Sequence, residues 1–240
     1  MVGTEYVPMT PKAPSEIWSA QVNGEAFEGL ISSNAILLDV LRDQVGTLGV
    51  KRGCDLGTCG CCTVMIDGDA RLSCLCLAGQ VSGSEITTVE GLSDGAHLAP
   101  IQSCFAEHGG SQCGFCTPGI VMSIYNLFLN NDFADERIIE ESLQGNLCRC
   151  TGYAPIVSAG LCALKKKHKS ALKEKKLFAR LKSDDPSSLR YAIPLSEAEL
   201  QAEMRKSPDA RLIAGGSDLM LEVTQSFRSI ECFIDLSMVR

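Results

Sequence analysis

The stretch "CDLGTCGCCTV" sets four cysteines within nine residues, Cys54 to Cys62, and no other feature limits the fold so tightly. Cys54, Cys59 and Cys62 fit C-x4-C-x2-C, and Cys74 follows as a fourth sulfur across the next hairpin. This is the spacing of a plant-type 2Fe-2S loop. Such a cluster and its thiolates carry net negative charge, so the loop around them must supply donors. Gly53, Gly57 and Gly60 let the backbone wrap closely and turn successive N–H groups toward sulfur, and Lys51 and Arg52 add positive charge. Four thiolates also satisfy tetrahedral zinc, but zinc sites usually pair two short knuckles, whereas this loop places three ligands on one side. Cys61 is then supernumerary. Neighbouring side chains on an extended strand point to opposite faces, so Cys61 is expected to point away from the cluster held by Cys62. Cys76 is likewise spare and expected to pack near Cys74.

A second constellation lies in "QCGFCTPG" and "NLCRCTGY", with Cys113 and Cys116 in C-x2-C and Cys148 and Cys150 in C-x-C. Both pairs stand where a helix is expected to start, so N–H groups and positive dipole ends can face an anionic cluster. Alone, these spacings divide between a 2Fe-2S cluster and structural zinc. Beside the first loop, iron is the better reading.

The rest of the composition is compatible with this chemistry. At 240 residues the chain has room for several small domains, and its 45 % hydrophobic content argues against disorder. Thirteen cysteines, an odd number, cannot all pair within the chain. Close-spaced ones are better explained by metal or redox work in a reducing compartment. No apolar run approaches the ~20 residues that span a bilayer, and the first residues lack a signal-peptide pattern, so a cytoplasmic location and no membrane partner are expected. Residues 1 to 164 carry 7 Lys+Arg against 18 Asp+Glu, a net charge of −11. An acidic cysteine-rich part is a poor nucleic-acid binder, and no nucleic-acid partner is expected.

Local patterns divide the chain into five parts. Residues 1–15 read as a flexible tail. Residues 16–95 hold hairpins at Asn23-Gly24 and Asp67-Gly68, a helix with Ser33 or Asn34 as N-cap, and a further strand, a small sheet folded over one helix. Residues 96–165 hold four helices with short links, one starting at Thr117 as N-cap with Pro118 behind it. Residues 166–188 form a lysine-rich helix end and linker. From 189 to 240 the order is strand, helix, strand, glycine turn, helix, strand. There a strand ends at Ile213 and a helix is expected near Ser217, so that Gly215 and Gly216 could bring bare N–H groups to a pyrophosphate. Cys104, Cys162 and Cys232 lie in apolar patterns and read as buried small hydrophobes, and His97, His108 and His168 as ordinary polar residues without a triad.

"GCDLGTCGCCTV" followed by "LSCL", then "GSQCGFCTPGI" and "GNLCRCTGYAPI", resembles the iron-sulfur part of the xanthine dehydrogenase/aldehyde oxidase family of molybdenum hydroxylases. "LIAGGSDLMLEV" resembles the start of that family's flavin domain, and the order of the two matches the small subunit of bacterial xanthine dehydrogenases. The resemblance implies an α+β chain: a β-grasp plant-type ferredoxin domain, a four-helix-bundle 2Fe-2S domain, and the N-terminal part of a PCMH-like FAD-binding domain. It implies that Cys113, Cys116, Cys148 and Cys150 bind the cluster nearest molybdenum, and Cys54, Cys59, Cys62 and Cys74 the one nearer flavin. Gln112 and Cys150 match positions approaching the pterin. Leu212, Ile213, Ala214, Gly215, Gly216, Ser217, Asp218 and Leu219 match the FAD-binding turn. Electrons would run from a molybdopterin centre on a large partner subunit through both clusters to FAD, then to NAD or another acceptor. No residue of this chain is expected to be catalytic. A flavin unit of about 50 residues is too small to enclose FAD, so a hetero-oligomer is expected, with another chain completing the flavin domain or this chain truncated. The competing readings are a self-standing ferredoxin-like carrier or redox sensor, and a zinc-stabilised interaction module.

Overall fold

The computed structural model describes residues 15–131, 133–166, 191–226, 228, 230 and 232–239. Residues 1–14 of the expected N-terminal tail, almost all of the lysine-rich linker and His168 lie outside the described residues, and Ser15, expected to end the tail, already belongs to a strand.

Two hairpins start the sheet. Strands β1 (Ser15–Val22) and β2 (Glu25–Ser32) pair antiparallel around Asn23 and Gly24, whose φ of 55° and 86° are the left-handed values a two-residue turn needs. Strands β3 (Thr63–Ile66) and β4 (Asp69–Leu72) repeat this around Asp67 and Gly68. Strand β5 (Glu85–Thr87) pairs parallel with β1 and antiparallel with β3, giving the order β2-β1-β5-β3-β4. Alternation along β1 buries Trp18, Ala20 and Val22 while Ile17 faces out.

Helix α1 (Leu37–Asp39) continues as a π-helical stretch over Val40–Val45. Its Leu37, Leu38 and Leu41 join Trp18 and Ile86 in the core, each fully buried aliphatic side chain contributing about 1.5–3 kcal/mol. Neither Ser33 nor Asn34 caps this helix. Ile36 precedes it in extended conformation, paired with Leu77, and Leu37 N donates to Cys76 O at 2.8 Å. A sheet-like bridge has replaced the expected side-chain cap.

Four helices follow: α2 (Pro100–Glu107), α3 (Thr117–Asn130), α4 (Glu136–Ser142) and α5 (Ala154–Lys166). Thr117 is not the cap of α3. It is the first helical residue, with Cys116 at the N-cap, and its hydroxyl donates to Ser111 Oγ at 2.9 Å. Asp135 caps α4 by accepting from Ile138 N. Helices α2 and α5 pack together and are joined by a Cys104–Cys162 disulfide, which corrects the reading of these two as separate buried thiols. Cys232 is half-buried.

The last unit comprises β6 (Tyr191–Ala192), α6 (Glu197–Lys206), β7 (Arg211–Ile213), α7 (Leu219–Thr224) and β8 (Phe233–Asp235), with the strands parallel in the order β6-β8-β7. Its Ile213, Leu219, Met220, Val223, Ile230 and Phe233 belong to the same apolar core as the first sheet and α1. Residues expected to begin a separate domain therefore share the first domain's core. Buried Asp235 locks the seam, accepting from Tyr191 Oη at 2.8 Å, Ser237 N at 2.8 Å and Gln80 Nε2 at 3.4 Å. Among the described residues no helix is long and apolar enough to cross a membrane.

Candidate iron-sulfur sites

Between the π-helical stretch and β3 the chain makes a loop without regular structure, and glycine shapes it. Gly57 and Gly60 take φ of 72° and 71°, and Asp55 also stands at φ 53°. The loop folds Cys54, Cys59 and Cys62 onto Cys74, which lies on a short 3-10 turn after β4. Cys62 and Cys74 share a hydrogen bond, as do Cys54 and Cys59, and Cys54 is within electrostatic reach of Cys59, Cys62 and Cys74. Leu56 N points at Cys54 Sγ from 3.4 Å. Partial burial works against the Cys54 thiolate, but hydrogen bonds from Leu56, Thr58 and Cys59 outweigh it and bring the thiol down to about 6. The bond from Cys74 brings Cys62 down to about 7, while Cys74, its donor, is pushed up. Four converging sulfurs, with thiolate favoured at Cys54 and Cys62, fit the soft donor set of a 2Fe-2S cluster.

The second set forms where two loops meet beside α3 and α5. Cys113 and Cys150 share one hydrogen bond, Cys116 and Cys148 another, and Cys148 interacts with Cys113, Cys116 and Cys150. Cys113 and Cys150 are exposed, Cys148 is half-buried and Cys116 is buried, where desolvation pushes its thiol up to about 12. Thr151 Oγ1 lies 3.1 Å from Cys148 Sγ. Again four sulfurs converge, this time at the surface, and they fit a second cluster.

Cys61 belongs to neither set. Cys62 is in the core of the first sheet, whereas Cys61 packs with Cys59, Cys116 and Ile120 in the helical core. Its Sγ lies 3.7 Å from Cys59 O, and burial raises its thiol to about 12. Cys76 is buried beside the first site, its Sγ 3.4 Å from Leu77 O.

Other expected site residues are distributed unevenly. Gln112 is exposed next to Cys113. In the glycine turn, Leu212, Ala214, Gly215, Ser217 and Asp218 are exposed, while the side chains of Ile213 and Leu219 enter the core and Gly216 is buried. Gly215 and Gly216 have φ of 73° and 74°, and a Cβ on Gly216 would stand 2.7 Å from Leu75 O. The helix begins at Leu219, later than Ser217. A cavity of about 400 Å³ opens between the turn and the first unit, lined by Arg71, Leu75, Cys76, Gln80, Gly215 and Ser217. His97 is exposed and bonded to Asp94, and His108 ends α2.

Sequence reasoning missed the residues that join the two sites. A Cβ on Gly119, in the first turn of α3, would collide with Gly60 O and stand 2.9 Å from Cys61 Cα. Leu147 N donates to Cys59 O at 2.9 Å and Asn146 Nδ2 to Gly60 O at 3.3 Å. The only signal for these positions was their place beside the cysteines.

Comparison with known proteins assigns the chain. The family described as "2Fe-2S iron-sulfur cluster binding domain" matches residues 17–106, and that described as "2Fe-2S binding domain" matches residues 88–161. The gamma subunit of caffeine dehydrogenase from Pseudomonas sp. (strain CBB1) is 45% identical over 148 residues, 60% of this chain and 89% of that protein. The chain belongs to the xanthine dehydrogenase/aldehyde oxidase family, as an iron-sulfur electron-transfer subunit. The xanthine dehydrogenase iron-sulfur-binding subunit of Escherichia coli O157:H7 is 44% identical over 142 residues, 58% of this chain and 89% of that one. Quinoline 2-oxidoreductase from Pseudomonas putida 86 superimposes with a TM-score of 0.62 at 40% identity, over 64% of this chain and 96% of that chain. All eight expected cysteine ligands fall inside the stretch matched to this family, and residues 191–239 fall outside it.

Proposed function

We propose that Cys54, Cys59, Cys62 and Cys74 hold one 2Fe-2S cluster and Cys113, Cys116, Cys148 and Cys150 a second, in an oxidoreductase whose substrate chemistry lies on a large molybdopterin-binding subunit. Each cluster, when bound, accepts and passes one electron at a time. The observation that carries the reading is the direct contact between the two loops, Leu147 N on Cys59 O, which sets both thiol sets side by side within one chain. The sets also differ in exposure as a relay requires. Exposed Cys113 and Cys150, rimmed by Phe115 at 45% and Leu147 at 56% exposure, offer an apolar docking face for the large subunit, with Gln112 at its edge toward the pterin. The buried first site lies against the 191–239 unit, where Thr224 Oγ1 donates to Asp55 O at 3.1 Å.

The exposed part of the glycine turn (Leu212, Ala214, Gly215, Ser217 and Asp218), with its adjoining cavity, is the segment that would meet FAD, on the way to NAD or another acceptor. A chain completing the flavin domain would make the assembly a hetero-oligomer. A cytoplasmic place suits a protein in which eleven of thirteen cysteines stay out of disulfides. Purification of the tagged chain at native expression tests the assignment. A large subunit carrying molybdenum and pterin should accompany it, and the chain stripped of partners should keep iron but little FAD. Recovery of the chain alone, fully loaded with iron, would favour a self-standing carrier, and stoichiometric flavin on the stripped chain would contradict the division of the flavin site.

A further inference from the structure

Residues Gly145, Asn146 and Leu147 run as a strap between the two thiol sets. On one side, Leu147 N donates to Cys59 O at 2.9 Å and Asn146 Nδ2 to Gly60 O at 3.3 Å. Both bonds land on consecutive carbonyls of the first cysteine loop. On the other side, Tyr153 Oη donates to Asn146 O at 3.0 Å and accepts from Cys148 N at 2.9 Å. One phenol thus ties the strap to a cysteine of the second set.

Little about this arrangement is free to slide. Asn146 is 4% exposed, and a Cβ on Gly60 would run into its amide and into Gly145 O. Gly60 O is held further by Thr63 Oγ1 at 2.7 Å, with Gly119 packed across it. Tyr153 stands at φ 71°, a left-handed conformation that is unfavourable for a bulky residue and persists only when its surroundings enforce it. Its two hydroxyl bonds and Tyr153 N on Thr151 Oγ1 at 3.3 Å do so.

We propose that Asn146 and Tyr153 are positioning residues for electron transfer between the two centres, holding the Cys59–Gly60 peptide at a set separation from Cys148. The inference rests on the cluster assignment made above. The step they govern is a one-electron oxidation of one centre and a one-electron reduction of the other, with no bond made or broken. Its rate falls steeply as separation grows, so a strap that fixes the gap fixes the rate.

The test uses the full chain, reduced with dithionite, in the variants Tyr153→Phe and Asn146→Ala. Iron and sulfide content and the EPR signal of each cluster should match the unsubstituted chain. The spin–spin splitting between the two dithionite-reduced clusters should narrow, and electron passage between them after flash reduction of the oxidised chain by one electron should slow about tenfold, about 1.4 kcal/mol on its barrier. Unchanged splitting and rate with both signals present overturn the proposal. Loss of the second cluster from Tyr153→Phe also overturns it, by showing that the phenol is needed to fold the ligand loop. If the unsubstituted chain itself shows no pair of 2Fe-2S signals, the cluster assignment fails instead.

Discussion

Cys61 and Cys62 are consecutive residues whose side chains enter different cores, Cys62 beneath the first sheet and Cys61 among the helices beside Cys116. The peptide between them is where the two iron-sulfur units meet. A thiol beside a ligand need not be a ligand: Cys61 and Cys62 lie not on the expected extended strand but in the turn before β3, closed by Thr63 N on Gly60 O at 3.2 Å, and the two side chains leave it toward different cores.

Replacing Cys61 by Ala should therefore leave the visible and EPR spectra of both clusters intact, at a stability cost of about 1 kcal/mol for the lost packing. Cys62→Ala should lose the plant-type signal and keep the other. The reverse pattern would mean that the ligand register is shifted by one.

Gly119→Ala should separate the two units without touching a ligand. The added Cβ meets Gly60 O and Cys61 Cα, both backbone atoms that cannot rotate aside, so overpacking of about 1–3 kcal/mol is expected. Thermal unfolding should change from one transition to two. A single transition at the original temperature would show that this contact is soft.

The Cys104–Cys162 bond spans 58 residues, for which chain entropy gives about 4 kcal/mol of stabilisation of the helical unit. Cys104→Ala with Cys162→Ala should lower its unfolding temperature, and reductant should then have no further effect on it. An unaltered midpoint in the double variant would mean that the Glu107–Lys166 pair and helix packing suffice.

Glu16 is 6% exposed, its Oε2 has no hydrogen-bond partner among the described residues, and burial raises its carboxyl above the usual range. A carboxyl raised in the folded state favours folding below its unfolded value and loses that contribution as pH rises through its folded value. Glu16→Gln should thus raise the unfolding temperature at pH 7, with the gain shrinking toward pH 4. A gain independent of pH would point to packing instead of charge.

The sequence carried the local part of this structure well. Asn23-Gly24 and Asp67-Gly68 announced both hairpins because those residues tolerate the left-handed turn, and the cysteine spacings marked both sites because a cluster imposes them. Contacts between distant segments left no such trace. Nothing in α2 or α5 records that Cys104 faces Cys162, and the Ile36–Leu77 pairing that overrides a Ser33 or Asn34 cap is invisible without the fold. Residues 189–240 read as the start of a separate flavin unit, yet their Ile213 and Met220 complete the first domain's core, since apolar periodicity shows that a face is buried but not against what. Asn146 and Tyr153 were passed over because their side chains bond backbone groups, which leave no mark of their own in the sequence.

The most direct test of the account is iron and acid-labile sulfide analysis of the purified chain, read together with its EPR spectrum after dithionite reduction. Two thiol sets predict about four irons and about four sulfides per chain, and two distinguishable 2Fe-2S signals. A colourless chain holding zinc, or a single cluster with about two irons, would contradict it.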